Sequence, residues 1–179
     1  KIYAPAVLDV AHHATAGGTV YMATTDARRG EDKMIVYSLK LWVWDKVKAV
    51  YCLSAQVEEP HGVSRVTCMS FIPSDPRVQS SPPTTTAREV ATSGQRSMDH
   101  LVTGADDGSV KVWRAVESYN QDDRTNQVSW TCAFTFRHKE NAVAALALSA
   151  DGSLLALAQQ GVVSFFSPLT VTFKSSLTV

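Results

Sequence analysis

The feature that most constrains the fold of this chain is an internal repeat of short, alternating segments. The segments 66–73 (VTCMSFIP) and 143–152 (VAALALSADG) both alternate apolar with other residues and both end in a turn. This is the pattern of half-buried β-strands. Each is followed by a second apolar strand and then by a tight glycine turn, Asp107-Gly108 in one case and Gln160-Gly161 in the other. The repeated order predicts a fold built from equivalent multistranded units.

Further strand candidates extend the repeat to three four-stranded units. Third strands are predicted at 110–113 and 162–166, and the segment 40–45 (KLWVWD) ends in the same way. Helical spacing of apolar residues is not sustained over more than about ten residues between caps, so the fold class is all-β. The fourth strands are 48–55, 129–136 and 171–177, and the predicted units are 1–58, 59–137 and 138–179.

Two segments interrupt the middle unit, at 74–100 and at 115–128. The first contains QSSPPTTTAREVATSGQRS, whose Pro, Ser and Thr residues cannot build a packed layer, so a solvated insertion is predicted. It is interpreted either as a surface loop or as a partner-binding or phosphorylated segment, and no motif decides between the two.

The middle unit carries a family pattern. His61-Gly62, then VSRVTCMSF, then LVTGADDGSVKVW resembles the WD repeat, whose family fold is a β-propeller of four-stranded blades. The resemblance implies that His61, Thr103, Asp107 and Trp113 form a buried structural hydrogen-bond chain. Such a chain would satisfy every polar group, because an imidazole can bond a carboxylate on one side and a hydroxyl on the other.

The other two units depart from this pattern. In the first, Trp44-Asp45 supplies the dipeptide after which the family is named, but a charged stretch, 26–33 (DARRGEDK), replaces the turn before it. Its four network residues cannot be assigned. In the third, His138 stands at the histidine position, while Gln160 replaces the aspartate and Phe166 the tryptophan. That unit is predicted to hold by apolar packing alone.

A closer resemblance covers residues 106–168. Trp130, Cys132, His138-Lys139 and the segment 151–156 (DGSLLA) make this stretch similar to the second propeller of a WD-repeat subunit of the nucleolar small-subunit processome. The resemblance implies a scaffold role in early pre-ribosomal RNA transcription and processing, in the nucleolus or nucleus. The implied partners are other protein subunits, with pre-ribosomal or small nucleolar RNA contacted indirectly or at the periphery.

Composition excludes several classes of partner. The 17 basic residues balance 17 acidic ones, so no bulk field draws the chain to nucleic acid or to an anionic membrane.

No segment approaches the roughly 18 apolar residues of a membrane span, and the segment 1–10 lacks a signal-peptide pattern. Cys52, Cys68 and Cys132 are odd in number and widely spaced, which favours an intracellular, reducing compartment over a disulfide framework or a metal site.

Catalysis, cofactors and metals are also disfavoured. His61, Thr103 and Asp107 are residue types of a nucleophilic triad, but no G-x-S-x-G signature accompanies them, so the structural interpretation is preferred. His12 and His13 would point to opposite faces of a strand, which suits no single metal ion. The basic clusters Arg28-Arg29 and 137–139 are interpreted as solvated loops rather than phosphate contacts. We expect no small-molecule substrate.

Two functions stay open beside the processome scaffold. One is a generic WD-repeat adaptor, such as a ubiquitin-ligase substrate receptor or a trafficking coat subunit. The other, a propeller enzyme, is disfavoured because the inward strands VTCMSF and VAALAL carry no carboxylate or histidine. Three blades form only an open arc of a propeller of about seven blades. We therefore expect each end to be covered by more of the same protein or by a partner.

Overall fold

The computed structural model describes residues 6–14, 19–30, 34–73, 99–120 and 125–178. Within these ranges the chain is all-β, as predicted, and no helix there has the length and hydropathy of a membrane span. The strands are β1 (Ala6–Ala14), β2 (Val20–Arg29), β3 (Ile35–Asp45), β4 (Val50–Glu58), β5 (Pro60–Val63), β6 (Val66–Ile72), β7 (His100–Ala105), β8 (Ser109–Asn120), β9 (Thr125–Arg137), β10 (Ala145–Leu148), β11 (Leu155–Gln159), β12 (Val162–Ser167) and β13 (Thr172–Thr178).

These strands form three four-stranded antiparallel sheets, ordered β1-β2-β3-β4, β6-β7-β8-β9 and β10-β11-β12-β13. Strands that follow one another in the chain are therefore neighbours in space, as expected when short hairpin turns join them. The strand β5 leads into the second sheet. Most of the predicted insertion 74–100 lies outside the described residues, since the description stops at Pro73 and resumes at Asp99.

The sheets pack face to face through two hydrophobic clusters. Leu101 and Trp113 of the second sheet pack with the first sheet, where Leu41 is fully buried. Val102 belongs to a separate cluster that joins the second sheet to Leu157 of the third. Adjacent residues of one strand thus serve opposite faces, which is the period-two alternation of a strand buried on both sides. The second sheet is the central layer of the described structure.

An irregularity in strand pairing recurs at the same place in all three sheets. The register between the third and fourth strands shifts at Leu41/Trp42, at Val112/Trp113 and at Phe165/Phe166. A β-bulge reorients the side chains that follow it, and bulges are usually kept at the same place within a protein family. This shared position makes Trp42, Trp113 and Phe166 equivalent residues.

The equivalence changes the interpretation of the Trp44-Asp45 dipeptide. Trp42, and not Trp44, occupies the position that Trp113 has in the second sheet. Trp44 instead lies edge-on to Tyr51, with ring centroids 5.0 Å apart. Asp45 caps the turn between β3 and β4, where its Oδ1 accepts the N–H groups of Val47 and Lys48. The bond from the N–H of Lys48 lowers the pKa of Asp45.

The second predicted insertion, 115–128, is largely an extension of the β8–β9 hairpin. Pairing continues without interruption from Ala115 opposite Trp130 to Asn120 opposite Thr125, so the strands predicted at 110–113 and 129–136 were too short. The inner neighbour β7 pairs with β8 only as far as Arg114. The N–H of Ala115 still donates to the carbonyl of Asp99, and beyond it the described residues of β8 and β9 pair only with each other.

The link between the second and third sheets centres on Val143, which is fully buried. Its N–H donates to the carbonyl of Ala105 at 3.0 Å, and its own carbonyl accepts the hydroxyl of Thr67. A Cβ at Gly104 would lie only 2.7 Å from Val143 Cγ1. Glycine is therefore required at position 104, because any side chain there would push the two sheets apart.

Candidate functional site

A buried hydrogen-bond network joins β7 and β8 of the second sheet to the preceding strand β5. His61 on β5 is only 6% exposed. Its Nε2 lies 2.8 Å from Thr103 Oγ1 on β7, and its Nδ1 lies 2.6 Å from Ser109 Oγ on β8. The indole Nε1–H of Trp113 donates to the same Thr103 oxygen at 2.9 Å. Three of the four predicted network residues are thus in direct contact.

The fourth predicted residue, Asp107, is linked to His61 through Ser109. The Ser109 hydroxyl donates to Asp107 Oδ1 at 2.6 Å, and the Ser109 N–H donates to the same oxygen at 2.9 Å. Arg137 Nη2 donates to the other carboxylate oxygen at 2.8 Å. A hydroxyl therefore replaces the direct imidazole–carboxylate bond expected from the sequence.

Ser109 was not identified from the sequence, and Arg137 was interpreted only as part of the solvated basic loop 137–139, whereas it is the last residue of β9. The signal for Ser109 was present, since an aspartate in a turn commonly accepts the N–H group two residues later. The segment Asp107-Gly108-Ser109 has this spacing. The contact of Arg137 with Asp107 could not be predicted from sequence spacing. It depends on the antiparallel register of β8 and β9, which places Arg137 opposite Ser109.

The donors and acceptors of the network run in one direction. The Ser109 hydroxyl donates to Asp107, so it accepts from Nδ1–H of His61. Nε2 is then the acceptor of the imidazole and takes the Thr103 proton, while Thr103 accepts from Trp113. His61, Thr103 and Ser109 each donate and accept, Trp113 only donates and Asp107 only accepts, and this order requires His61 to be neutral. This assignment of the tautomer follows from the partners of the ring.

The pKa values of the network agree with a neutral imidazole. Burial, aided by the charge of Lys111, lowers the pKa of His61 to about 4, although Asp107 acts in the opposite direction. Partial burial raises the pKa of Asp107, but the bonds from Ser109 and the charge of Arg137 outweigh it and hold that pKa below its usual value. The network therefore contains a neutral histidine and an ionised aspartate near neutral pH.

The order of these groups does not suit nucleophilic catalysis. In a catalytic triad the carboxylate orients the imidazole, and the imidazole takes the proton of the hydroxyl. Here the Ser109 hydroxyl lies between the imidazole and the carboxylate and donates to the carboxylate. Ser109 is 7% exposed and Thr103 is fully buried. Neither oxygen is presented to a substrate.

The first sheet holds part of an equivalent network, which could not be assigned from the sequence. Trp42 Nε1 donates to Thr24 Oγ1 at 3.0 Å, in the same register that relates Trp113 to Thr103. On the same face, buried Asp26 forms an ion pair with Lys40. The charged stretch 26–33 thus contributes an inward carboxylate at its first residue.

The third sheet has an aromatic cluster where the second has polar groups. The His138 ring stacks on Phe173, with centroids 5.3 Å apart, and lies edge-on to Phe166 at 5.1 Å. Gln160 is exposed. The prediction of apolar packing alone was incomplete, because buried Gln159 donates from Nε2 to the carbonyl of Asn141 at 2.7 Å. This bond ties the preceding loop to the sheet.

The remaining candidate residues form no cluster in the described part of the chain. No group of three or more His, Cys, Asp or Glu side chains there could hold a metal ion. The side chains of His12 and His13 lie outside the description. Cys52 and Cys132 are exposed free thiols, and burial raises the pKa of the third, Cys68.

Comparison with known proteins gives one consistent result. The family model for the second β-propeller of WD repeat-containing protein 75 matches residues 6–179. The chain is 30% identical over 157 residues to WD repeat-containing protein 75 of Danio rerio, and 25% identical over 154 residues to that of Homo sapiens. These alignments cover 88% and 86% of this chain but only 16% of each relative.

Solved structures with a similar fold have distant sequences. One is Drosophila Plexin A in complex with Semaphorin 1b, with a TM-score of 0.57 at 8% identity. Another is Drosophila Semaphorin 1b, extracellular domains 1-2, with a TM-score of 0.58 at 9% identity. Each match covers 91% of this chain and 40% of the solved chain. At these identities the likeness concerns the fold alone, and together with the family match it confirms the predicted β-propeller.

Proposed function

The chain belongs to the family of the second β-propeller of WD repeat-containing protein 75, and on this premise we propose that it is a non-catalytic scaffold of the nucleolar small-subunit processome. The observation that carries the proposal is the match of that specific propeller model over residues 6–179. In this role the chain docks other protein subunits and supports the transcription and processing of pre-ribosomal RNA. RNA contact is peripheral, in keeping with the zero formal net charge.

The buried network supports a structural role rather than a catalytic one. We assign His61, Thr103, Asp107 and Trp113 to holding β5, β7 and β8 of one blade together, with Ser109 as a fifth member. A network in which each polar group is satisfied specifies one arrangement of a sheet and leaves no reactive group free. The chain then acts through its surface, with no cofactor and no small-molecule substrate.

The blade boundaries that fit this proposal are 1–58, 59–137 and 138–179, with an insertion at 74–100 and the extended β8–β9 hairpin in place of the insertion predicted at 115–128. Each interval contains one four-stranded sheet. Exposed apolar residues remain on the third sheet, where Ala145, Ala147 and Leu177 are exposed. A repeat of this kind needs a neighbour on each face, and the chain spans only 16% of its relatives. Further blades of the same protein are the proposed neighbours.

Affinity purification of the tagged full-length protein tests the proposed assembly. We expect pre-ribosomal RNA and processome subunits to be recovered, with the protein in the nucleolus or nucleus. A matched variant lacking residues 6–179 should lose part of this set of subunits. Recovery of cullin adaptors or coat proteins in place of the processome would support the generic adaptor and refute the proposed one.

A further inference from the structure

The aromatic cluster of the third sheet continues onto the outermost strand of the second sheet. The ring of Phe136 on β9 lies 5.3 Å from that of Phe166 on β12, measured between centroids. Phe134 and Phe136 pair with Val112 and Val110. Both valines belong to the cluster that joins the second sheet to the third, so both phenylalanines lie on that face of β9. The resulting aromatic rim consists of Phe134, Phe136, His138, Phe166 and Phe173.

Two rings of the aromatic rim are about half exposed. Phe134 is 44% exposed and Phe173 is 48% exposed. The Phe173 ring stacks on His138 with centroids 5.3 Å apart, and it lies edge-on to Phe166 at 5.6 Å. A ring that its neighbours already hold in place loses little conformational freedom when a ligand binds to it. The exposed part of the rim is therefore a preformed surface for stacking.

The charges beside the aromatic rim are mainly basic. Four basic residues follow or precede its members in the chain or share its face of the second sheet, namely Arg114, Arg137, Lys139 and Lys174. Asp107 offsets Arg137, which binds it at 2.8 Å, and exposed Glu140 follows Lys139. Basic residues remain in excess, four against two, and this excess favours an anionic occupant.

Aromatic rings and positive charge together discriminate among the occupants of such a surface. A cationic group also binds aromatic faces, but the basic residues would repel it. A proline-rich peptide docks on aromatic side chains, but phenylalanine offers its carbonyl oxygens no donor. Unpaired nucleobases stack on phenylalanine and histidine rings, and the phosphates beside them bind lysine and arginine. The chemistry of the rim therefore matches a single-stranded nucleic acid.

The equivalent junction between the first two sheets lacks this combination. Its outer strands are β4 and β9, and the described residues that line the space between them include one aromatic side chain, Trp130, and no basic residue. Aliphatic residues such as Leu53 and Val128 stand where the rim has rings. The junction of β4 and β9 therefore provides a control surface within the same molecule.

We propose that the aromatic rim binds single-stranded RNA, with bases stacked on Phe134 and Phe173 and with phosphates beside Lys139 and Lys174. The proposal deepens the proposed scaffold role by naming where RNA is contacted, and it rests on that role for the source of the RNA. A site at the outer strands is a peripheral contact. The proposal also revises the interpretation of the basic cluster 137–139 as a solvated loop.

Fluorescence anisotropy with the full-length protein tests the proposal. The probes are a short fluorescein-labelled uridine oligonucleotide and a labelled RNA duplex of the same length. We expect the single strand to bind more tightly than the duplex, because the bases of a duplex are already stacked and paired. Equal binding of the two probes, or no binding of the single strand, would overturn the proposal.

Two phenylalanine variants then place the oligonucleotide on the rim. Phe173→Leu and Phe134→Leu keep an apolar side chain and remove the stacking face, so each should weaken the Kd roughly tenfold. The control Leu53→Ala alters a residue of β4 that is 49% exposed and should leave the Kd unchanged. Urea denaturation checks that each variant is folded. An unchanged Kd in both phenylalanine variants, or an equal loss in the control, contradicts the site.

The salt dependence of binding tests the phosphate contacts separately. Each phosphate that a protein neutralises on a single strand contributes about −0.7 to the slope of log K against log salt concentration. Lys174→Gln should therefore make the slope shallower by about 0.7. Lys46→Gln, at another exposed position in the turn between β3 and β4, should leave the slope unchanged. The same slope in Lys174→Gln and in the natural protein would refute this contact.

A peptide competitor distinguishes RNA from a proline-rich partner. A peptide with the sequence of residues 79–86 (QSSPPTTT) should not displace the oligonucleotide. Displacement that Phe173→Leu abolishes would show that the rim is a peptide site, and the proposal would be wrong. Loss of all RNA binding, with processome subunits still recovered, would reject the rim and leave the proposed function standing. RNA binding at the rim without those subunits would do the reverse.

Discussion

The second and third sheets solve the same packing problem with different chemistry at equivalent positions. In the second, His61 and Trp113 belong to a continuous chain of hydrogen bonds. In the third, the ring of His138 lies edge-on to Phe166 and stacks on Phe173. The shared bulge shows that the backbone is the same in both. The bulge position is thus compatible with either polar or apolar contacts. The two sheets should therefore lose stability to different extents when these contacts are mutated or when the pH is lowered.

The largest difference in stability loss between the two sheets is expected for a change at Thr103, the centre of the network. Thr103→Val keeps the side-chain shape but leaves the Trp113 N–H and a buried nitrogen of His61 without partners. Each buried orphan group costs about 1–3 kcal/mol, so the free energy of unfolding should fall by about 2–6 kcal/mol. Urea denaturation followed by tryptophan fluorescence measures it.

The control for this change lies at the equivalent position of the third sheet. Leu157→Val removes one methylene from an apolar site and should cost only about 1 kcal/mol. If the two variants were equally destabilised, the polar network would contribute no more than ordinary packing, and the contrast between the sheets would disappear.

Acid should act selectively on the second sheet. His61 has its pKa lowered from 6.5 to about 4 in the folded chain, so between these values the unfolded chain binds a proton that the folded chain does not. Stability is therefore complete above pH 6.5 and declines as the pH falls towards 4, by up to about 3 kcal/mol. Asp107, whose pKa is also lowered, adds a further loss below its ordinary value of 3.8.

Denaturation series at several pH values check this expectation. His61→Gln retains a polar side chain without a proton to bind in this range, so its stability should vary less between pH 6.5 and 4. A His61→Gln protein with the same pH dependence as the natural chain would show that other groups cause the acid loss.

A smaller loss of stability is expected when the Ser109 hydroxyl, which lies between His61 and Asp107, is removed. Ser109→Ala removes the relay between His61 and Asp107 but leaves Thr103 and Trp113 in place, so about 1–2 kcal/mol of stability should be lost. Ser109→Thr, which restores a hydroxyl, should recover most of it. Ser153→Ala, at an exposed position, is the matched control for a serine outside the network.

The smallest effect belongs to the aromatic cluster. His138→Leu keeps the apolar contact with Phe166 and Phe173 but loses the preferred ring geometry, which is worth about 0.5–1.5 kcal/mol. The change should shift the urea midpoint slightly. A loss as large as that of Thr103→Val would mean that His138 has a polar role that its ring contacts do not account for.

The sequence was most informative where side chains follow a fixed period. Alternation located the strands of the second and third sheets, and the resemblance placed His61, Thr103 and Trp113 together. It did not identify Trp42, because a dipeptide such as Trp44-Asp45 does not reveal which tryptophan comes directly after a bulge. The bulge at Leu41/Trp42 depends on how β3 pairs with β4. The residues of β3 alone do not determine that pairing.

Contacts across turns were also difficult to predict. Ser109 has a short side chain, and its position between His61 and Asp107 depends on the conformation of the turn at Gly108, where φ is +81°. Likewise, the continued pairing of 115–120 with 125–130 depends on two segments matching each other. Neither segment alternates strongly enough by itself to indicate a strand.

The β8–β9 hairpin has a consequence for how this protein can diverge. Its additional residues are opposed one to one up to Asn120 and Thr125, beyond the end of β7, so removing a facing pair near the tip would leave every register nearer the core intact. The length of the β8–β9 hairpin can therefore change without repacking of the interior. Related chains can therefore be expected to vary in the reach of this arm while keeping Trp113 and its neighbours in place.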